Sequence, residues 1–218
     1  MKTAAVFFLD DGHSDECLHF GGTTTLSFLS NIVSEIAEIG TSVISLPSSY
    51  SGVQKKKKNV FTRTEDDVRS WKALFEKTGA DTIVKLYVDA PFADAAVVRE
   101  MLQLHLKYNA EFTYSENLPS GLSCEIISGA LVSSLPESDG KMLSLSQVIR
   151  SNINQFDVEL YYKGPDIRDK RISFRTSNLR EKKIMESILS RCSSIPSYAM
   201  MREVLDKNGD LLYVGPSY

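Results

Sequence analysis

The sequence predicts an α/β protein with an open, mostly parallel sheet flanked by helices. Short apolar runs alternate with longer segments of helical periodicity, an order that builds crossover connections between parallel strands. The chain has 218 residues, enough for one domain with a sizeable core. Hydrophobic residues make up 42% and charged residues 24%, which is the balance of a globular chain and excludes a disordered or collagen-like one.

The first 46 residues read as a strand, a helix and a second strand. Residues 4–9, AAVFFL, form a short apolar run. Residues 25–39 carry apolar side chains at helical spacing, and Gly40 follows as a typical helix-ending residue. Residues 42–46, SVISL, are again strand-like, and Pro47 ends them. We therefore predict that the chain opens with a β-α-β unit.

The middle of the chain continues the alternation after a polar segment. Residues 48–59 read as a loop, and its four lysines, residues 55–58, could also attract phosphate. A helix is predicted from Glu65, with Thr64 as its cap. Residues 82–88, TIVKLYV, form the most strand-like run in the sequence because they are rich in β-branched and aromatic side chains.

The second half repeats the same pattern. We predict strands over residues 110–114, 123–127, 157–162, 171–175 and 211–214, and helices over residues 95–108, 143–153, 179–191 and 197–205. The domain organisation we expect is a main α/β domain of residues 1–195, followed by a C-terminal helix and linker in residues 196–218.

The bulk properties exclude several classes of function. With 25 Lys and Arg against 28 Asp and Glu, the net charge of −3 lacks the basic footprint of a nucleic-acid binder. No apolar run approaches the ~20 residues of a membrane helix, so no membrane partner is expected. The three cysteines are far apart and form no CxxC pair, which predicts reduced thiols in a cytoplasmic protein and no cofactor bound by cysteine.

Several acidic residues follow the predicted strands. In open parallel sheets, ligands bind beyond the carboxyl ends of the strands. This rule singles out Asp10, Asp11, Pro47 and Asp89. The carboxylate of Asp89 could hold Mg²⁺, a cation that prefers oxygen ligands, or it could cap a turn. The turn that ends in Gly12 allows the same two interpretations.

Two other segments have both a functional and a structural interpretation. Gly21 and Gly22 precede the first long helix, and amides at a helix N-terminus can bind an anion, but the pair also suits a plain turn. His13 and His19 lie among acidic residues that could hold a metal or could form a polar surface loop.

Residues 62–94 resemble the central segment of the cytidylyltransferase family of spore-coat polysaccharide biosynthesis proteins. The family's Gly-Ser-Glu-Asp-Asp-Val helix start is similar to TEDDV at 64–68. Its Ala-Asp-x-Ile-Val strand is similar to ADTIV at 80–84, and its Gly-Asp-x-Pro-x-x-Asp turn to VDAPFAD at 88–94. GLSCE at 121–125 resembles the family's Gly-Leu-Asp-x-Glu strand.

The resemblance implies a Rossmann-like nucleotide-diphospho-sugar transferase fold. Members of the family join CTP to an anionic sugar or polyol and release pyrophosphate, with Mg²⁺ held by aspartates. By resemblance, Asp89 would be the first metal ligand, and Asp94 and Glu125 would lie at ligand-binding positions. The expected partner is then a nucleotide or nucleotide sugar, and the expected cofactor of an active enzyme is Mg²⁺.

Three departures from the family pattern change this expectation. The family's phosphate-binding loop carries Arg and Lys, whereas residues 10–22 carry neither and hold four acidic side chains. Arg175 stands where the family has its second metal-binding Asp, and Ser146-Gln147 stands near its Glu-His pair. Since a cation cannot ligate Mg²⁺, we predict a degenerate, non-catalytic domain that binds a ligand or partner. The alternative is an active Mg²⁺-dependent transferase that uses residues 55–58 as its phosphate clamp.

A degenerate domain of this type also resembles the N-terminal part of a group of spirochete radical-SAM proteins. This second resemblance implies a downstream iron–sulfur domain, with residues 211–218 as the linker. The chain itself has no CxxxCxxC motif for a cluster. A homodimer is a further expectation, because apolar sheet edges often pair.

Overall fold

The computed structural model describes residues 1–13, 15–52, 59–137, 143–192 and 194–210. These residues form a seven-stranded sheet with helices on both faces, and a small two-stranded hairpin. The strands are β1 Thr3–Phe8, β2 His19–Phe20, β3 Thr23–Thr24, β4 Ile39–Pro47, β5 Val60–Arg63, β6 Thr82–Tyr87, β7 Phe112–Tyr114, β8 Glu125–Ser128 and β9 Val158–Leu160. The helices are α1 Thr25–Ser34, α2 Val68–Thr78, α3 Ala95–Tyr108, α4 Gly129–Ser134, α5 Leu145–Ser151, α6 Leu179–Arg191 and α7 Tyr198–Lys207.

The sheet order is β5-β4-β1-β6-β8-β7-β9, and β2 pairs with β3. Strand β8 runs antiparallel to both β6 and β7, whereas the other adjacent pairs are parallel. The predicted mostly parallel α/β architecture is therefore confirmed. Because β8 runs in the opposite direction, its first residue, Glu125, lies beside Lys85 near the carboxyl end of β6.

Two apolar cores lie on the two faces of the sheet. Along β1, Ala5 and Phe7 face a core built with α1, α3, α6 and α7, whereas Val6 and Phe8 face a core built with α2, α4 and α5. Burial on both faces explains why β1 reads as a continuous apolar run and not as an alternating one. In α7, Met201 and other apolar residues pack into the same core as α3. No helix in the described part of the chain has the length and apolarity of a membrane span.

The first predicted helix is too long in the sequence analysis. Helix α1 ends at Ser34, and Ile39 already begins β4, where it lies beside Thr3 of β1. Gly40 therefore sits inside a strand and does not end the helix. Ile36 is buried in the connection between them, so an apolar residue at helical spacing was in fact a loop residue anchored in the core.

The start of the second helix also differs from the prediction. Helix α2 begins at Val68, and its cap is Asp67, whose side chain accepts a hydrogen bond from the Ser70 amide at 2.8 Å. The residues before it, Val60–Arg63, form strand β5, which the sequence analysis did not predict. Pairing with β4 stabilises this short strand, and such pairing is not visible in local sequence.

The predicted strand over residues 171–175 is wrong. This segment forms no strand and crosses the sheet margin, where the Phe174 amide donates to the Ser120 carbonyl at 2.7 Å. The next contact is from the Thr176 amide to the Asp89 carbonyl at 2.8 Å. These two bonds hold Arg175 over the carboxyl end of β6. The predicted strand at 211–214 and the lysines at 55–58 lie outside the described residues.

Candidate site at the carboxyl edge of the sheet

Acidic residues from different parts of the chain meet at the carboxyl edge of the sheet. Asp10 and Asp11 follow β1, and Asp89 follows β6, as the strand-end rule predicts. Glu125 joins them because β8 is antiparallel and begins at this edge. The segment that carries Arg175 then crosses the same edge and brings a cation among the carboxylates.

The guanidinium of Arg175 bridges two of these carboxylates. Its Nε donates to Oδ1 of Asp89 at 2.6 Å, and its Nη2 donates to Oδ2 of Asp10 at 2.6 Å. The guanidinium also lies 4.0 Å from the centre of the Tyr87 ring, within cation–π range. Burial alone would lower the pKa of Arg175, but Asp89 and Asp10 hold it above its usual value. Arg175 is therefore a fixed positive charge at this edge.

Asp89 is fully buried, and its carbonyl and one of its carboxylate oxygens accept hydrogen bonds. Its carbonyl accepts bonds from both the amide and the hydroxyl of Thr176, at 2.8 and 3.1 Å. Its carboxylate Oδ1 accepts from Arg175, whereas Oδ2 has no hydrogen-bond partner among the described residues. A buried carboxylate with a guanidinium at one oxygen is already neutralised by a protein cation.

We tested this arrangement against the Mg²⁺ that the family resemblance implies. Mg²⁺ needs oxygen ligands in near-octahedral geometry and is usually bound by carboxylates together with substrate phosphates. Here Asp89 and Asp10 both bind the same guanidinium. In the part of the chain that the structure describes, no group of three His, Cys, Asp or Glu residues is placed to hold a metal. The residues at this edge therefore do not fit Mg²⁺.

A second cation, Lys85 on β6, is buried and contacts the same Tyr87 ring as Arg175. Its Nζ is 3.3 Å from Oε2 of Glu125, and it lies 4.4 Å from the ring centre of Phe8 and 5.1 Å from that of Tyr87. Burial opposes the charge of Lys85, but Glu125 and Tyr87 raise its pKa above the usual value. The ammonium is thus held in a pocket of rings and one carboxylate.

Glu125 is the counter-charge of this ammonium and is itself well satisfied. It accepts from the Ser146 hydroxyl at 2.7 Å and lies 3.3 Å from Nη2 of Arg150. Burial would raise the pKa of Glu125, but Lys85, Ser146 and Arg150 lower it overall. Ser146 therefore helps to hold Glu125 in place.

A third buried cation, Arg63 at the end of β5, completes a row along the edge. Its guanidinium lies 3.8 Å from the ring centre of Phe8, donates to the Leu9 carbonyl, and is 3.6 Å from Oδ1 of Asp11. Burial lowers its pKa. The order Arg63, Phe8, Lys85, Tyr87, Arg175 alternates cations with aromatic rings.

A cavity of about 210 Å³ opens beside this row and is mainly acidic. Asp66 at its wall accepts from Trp71 Nε1 at 2.7 Å, and burial raises the pKa of Asp66. The side chains that line the cavity include five carboxylates against one cation: Asp10, Asp11, Glu65, Asp66 and Asp67 against Arg63. This charge balance favours a neutral or cationic group in the cavity and repels phosphate.

The three glycines of the acidic segment 10–22 lie in turns. Gly21 and Gly22 form the two-residue connection between β2 and β3, with φ of 56° and 78°, the positive values that a tight hairpin requires. Gly12 also has a positive φ, and it borders a separate cavity of about 440 Å³ together with His13 and His19. The loop geometry thus has a structural explanation, and anion binding by these glycines stays a prediction.

Pro47 and Asp94 also have structural contacts. Pro47 is the last residue of β4 and lies beside Arg63 of β5. Asp94 caps α3, with Oδ1 accepting from the Ala96 amide at 2.8 Å. Its Oδ2 accepts from the amide of Tyr198, the first residue of α7, at 2.7 Å. One carboxylate therefore joins the N-termini of two helices, and a ligand-binding role for Asp94 stays a prediction.

Three residues of the site, Lys85, Arg63 and Tyr87, were not predicted from the sequence. A signal for Lys85 was present, since a lysine inside the apolar run TIVKLYV requires a buried counter-charge. Nothing in the local sequence of Arg63 predicted its burial against Phe8, because that contact depends on the pairing of β5 with β4.

Comparison with known proteins agrees with this fold. The chain matches no protein-family model and no protein of curated function. The structure of a cytidylyltransferase from Leptospira borgpetersenii is similar over 100% of this chain and 99% of that chain, with a TM-score of 0.82 and 21% identity. A CMP-2-keto-3-deoxy-manno-octonic acid synthetase complexed with CTP matches 77% of this chain and 93% of its own, with a TM-score of 0.54 and 13% identity. The 2-C-methyl-D-erythritol 4-phosphate cytidylyltransferase of Thermus thermophilus matches 88% of this chain and 100% of its own, with a TM-score of 0.56 and 14% identity.

These similarities define the class of the fold. The chain has the nucleotide-diphospho-sugar transferase fold of the cytidylyltransferases. At these identities the likeness extends to the fold alone. The specific link to spore-coat proteins, the downstream iron–sulfur domain and the cytoplasmic location stay predictions.

Proposed function

We propose that this chain is a non-catalytic member of the cytidylyltransferase fold that binds a nucleotide or nucleotide sugar without metal-dependent transfer. The observation that carries the proposal is the bridge from Arg175 to Asp89 and Asp10, each at 2.6 Å. The family resemblance implies a metal at Asp89, and transfer needs that metal to neutralise phosphate charge. A protein cation bound to Asp89 supports the proposal that this chemistry is absent.

Opening this bridge costs free energy. A metal that replaced the guanidinium at Oδ1 of Asp89 would have to separate this largely buried ion pair, and breaking a buried ion pair costs ~3–5 kcal/mol. The acidic cavity beside the bridge adds repulsion against an incoming triphosphate, because Asp10, Asp11 and Asp66 lie on its wall. Both effects oppose the binding of a metal–triphosphate complex and leave the binding of a base or sugar unopposed.

The first experiment separates binding from transfer. Thermal unfolding is followed with each of four nucleoside triphosphates and with nucleotide sugars, with and without Mg²⁺, since a ligand of the native state raises the melting temperature. We expect stabilisation by a nucleotide sugar that does not depend on Mg²⁺, less or none by the triphosphates, and no pyrophosphate release from CTP, Mg²⁺ and a panel of sugar acids. Pyrophosphate release above the uncatalysed background refutes the proposal.

A second experiment restores the missing carboxylate. In the variant Arg175→Asp, three carboxylates replace the bridge, and we expect Mn²⁺ to bind and raise the melting temperature. The matched control Arg175→Asn removes the cation without adding a carboxylate, and it is expected to respond less to Mn²⁺. A wild-type protein that binds Mn²⁺ as tightly as Arg175→Asp contradicts the proposal.

The second candidate function is an active Mg²⁺-dependent nucleotidyltransferase acting in surface polysaccharide biosynthesis. The observation that favours it is the full-length likeness to a protein described as a cytidylyltransferase, with a TM-score of 0.82. This candidate uses the lysines at 55–58 as its phosphate clamp. It requires CTP binding that depends on Mg²⁺ and that weakens sharply in Asp89→Ala, whereas the first proposal requires neither.

A further inference from the structure

Strand β9 forms one margin of the sheet and has an unpaired side. It pairs with β7 on one side, and no described residue pairs with it on the other. The Tyr161 amide continues this ladder by donating to the Tyr114 carbonyl at 2.9 Å. Leu160, the last residue of β9, is 40% exposed, and Tyr162 just after the strand is 58% exposed. These fractions are high for large apolar side chains.

The hydrogen bonds of β9 show which backbone groups face outward. The Asp157 carbonyl and the Tyr161 amide both bond toward β7 and its flanking residues. Because backbone groups alternate in direction along a parallel strand, the amides and carbonyls of Val158, Leu160 and Tyr162 face the open margin. At this margin, donors and acceptors that no described residue pairs with alternate along the strand, and such a row is a template for another strand.

The sequence of this segment complements itself when two copies run antiparallel. With Leu160 opposite the second copy's Leu160, Val158 lies opposite Tyr162, and Asp157 lies opposite Lys163. Apolar side chains thus meet apolar ones, and each end of the pair brings opposite charges together. The outward-facing backbone groups fall on the hydrogen-bonded positions of this same register, so side-chain and backbone patterns agree.

The apolar face of the sheet also continues to this margin. Val158 is half-buried against the core that contains Phe112 and Tyr114, and Leu160 follows on the same face of the strand. Ile153 and Phe156, just before β9, are half-buried against the same core. A second copy across the margin would extend this apolar layer and cover Leu160 and Tyr162.

The geometry points to a homodimer formed by antiparallel pairing of β9 with β9 of a second copy, with the two-fold axis at Leu160. The two seven-stranded sheets join into one continuous sheet across this axis. Lys163 already binds Glu100 of its own copy at 2.6 Å, and Asp157 of the second copy joins this charge group. The inference depends on the sheet margin alone and not on nucleotide binding.

The first test is the mass of the protein in solution. Sedimentation equilibrium of the wild type is expected to give a dimer, and Leu160→Lys is expected to halve the mass, because two lysines then face each other at the axis. Leu179→Lys is the matched control, since Leu179 is also exposed but lies on α6, and it should remain dimeric. A monomeric wild type, or a dimer that Leu160→Lys leaves intact, overturns the inference.

The second test fixes the register and does not require the dimer to be disrupted. In a Cys192→Ser background, Leu160→Cys places two thiols about 5.5 Å apart by Cα, within the range of a disulfide, and oxidation should give a covalent dimer. Val158→Cys and Tyr162→Cys should cross-link when mixed and far less when oxidised separately. Leu179→Cys, at an exposed residue of α6, is the control that measures the cross-linking produced by random collisions. Equal cross-linking of Leu160→Cys and Leu179→Cys overturns the inference.

Discussion

Arg175 and Asp89, 86 positions apart in the chain, are joined by a 2.6 Å bond from Nε to Oδ1 at the carboxyl end of β6. Asp89 is buried and Arg175 is partly buried. The next residue, Thr176, stabilises the same turn by donating to the Asp89 carbonyl. One side chain therefore neutralises the strand-end carboxylates and also ties the segment after residue 170 to the edge of the sheet. Its loss should affect stability as well as ligand specificity.

The first prediction concerns removal of this guanidinium. Arg175→Ala leaves Asp89 buried without its counter-charge, and we expect the free energy of unfolding to fall by ~3–5 kcal/mol in urea titrations at pH 7. The double variant Arg175→Ala with Asp89→Asn removes the buried charge as well and should recover part of this loss. A double variant as unstable as the sum of the two single variants shows that the residues do not interact.

The second prediction concerns the double cap at Asp94. Asp94→Ala removes acceptors from the N-termini of α3 and α7, and each lost cap costs about 1 kcal/mol, so a loss of about 2 kcal/mol is expected. The matched control is Asp67→Ala, which removes a cap from the single helix α2 and should cost about half as much. Equal losses in both variants contradict a double role for Asp94.

The fold was predictable because its signal is local and repeated. The apolar runs at residues 4–9 and 82–88 form strands that are buried on both faces. A helix follows the second run directly and follows the first one after the β2–β3 hairpin. The errors occur where a distant strand decides the local structure. Ile39 joins β4 because Thr3 lies beside it, and Val60–Arg63 becomes a strand because β4 offers a free side.

The candidate site was predictable only in part. The strand-end rule located Asp10, Asp11 and Asp89, and the comparison with a family pattern singled out Arg175. The sequence could not show that Arg175 binds Asp10 and Asp89 at once, because this contact needs a segment that crosses the edge without forming a strand. It also gave no indication of the row of cations and rings, whose members come from three strands and a crossing segment.

The third prediction concerns the ammonium buried on β6. Lys85→Met keeps the length of the side chain but removes the charge that faces Glu125 at 3.3 Å and the rings of Phe8 and Tyr87. We expect a loss of ~3 kcal/mol in the free energy of unfolding. Glu125→Gln added to Lys85→Met should restore part of it, since no buried carboxylate then lacks its partner.

The control for this pair is a site where the same chemistry is exposed. Lys207→Met breaks the exposed pair of Lys207 with Glu203 on α7 and should leave the free energy of unfolding within the error of the titration. If Lys85→Met is equally mild, the buried pair contributes little beyond packing, and the row of cations and rings does not stabilise this edge.

The fourth prediction is a pH dependence that originates at His105. This histidine is fully buried on α3, Nδ1 lies 3.0 Å from the Thr113 hydroxyl, and burial lowers its pKa to about 4 from 6.5. As the pH falls below about 6.5, the unfolded chain binds a proton that the folded protein does not, so stability decreases until the pH reaches about 4. By pH 5 the expected loss is about 2 kcal/mol.

His105→Gln should remove this loss in urea titrations between pH 7.5 and 5, whereas His19→Gln, a change at an exposed histidine, should retain it. Equal pH slopes in the wild type and His105→Gln refute the assignment.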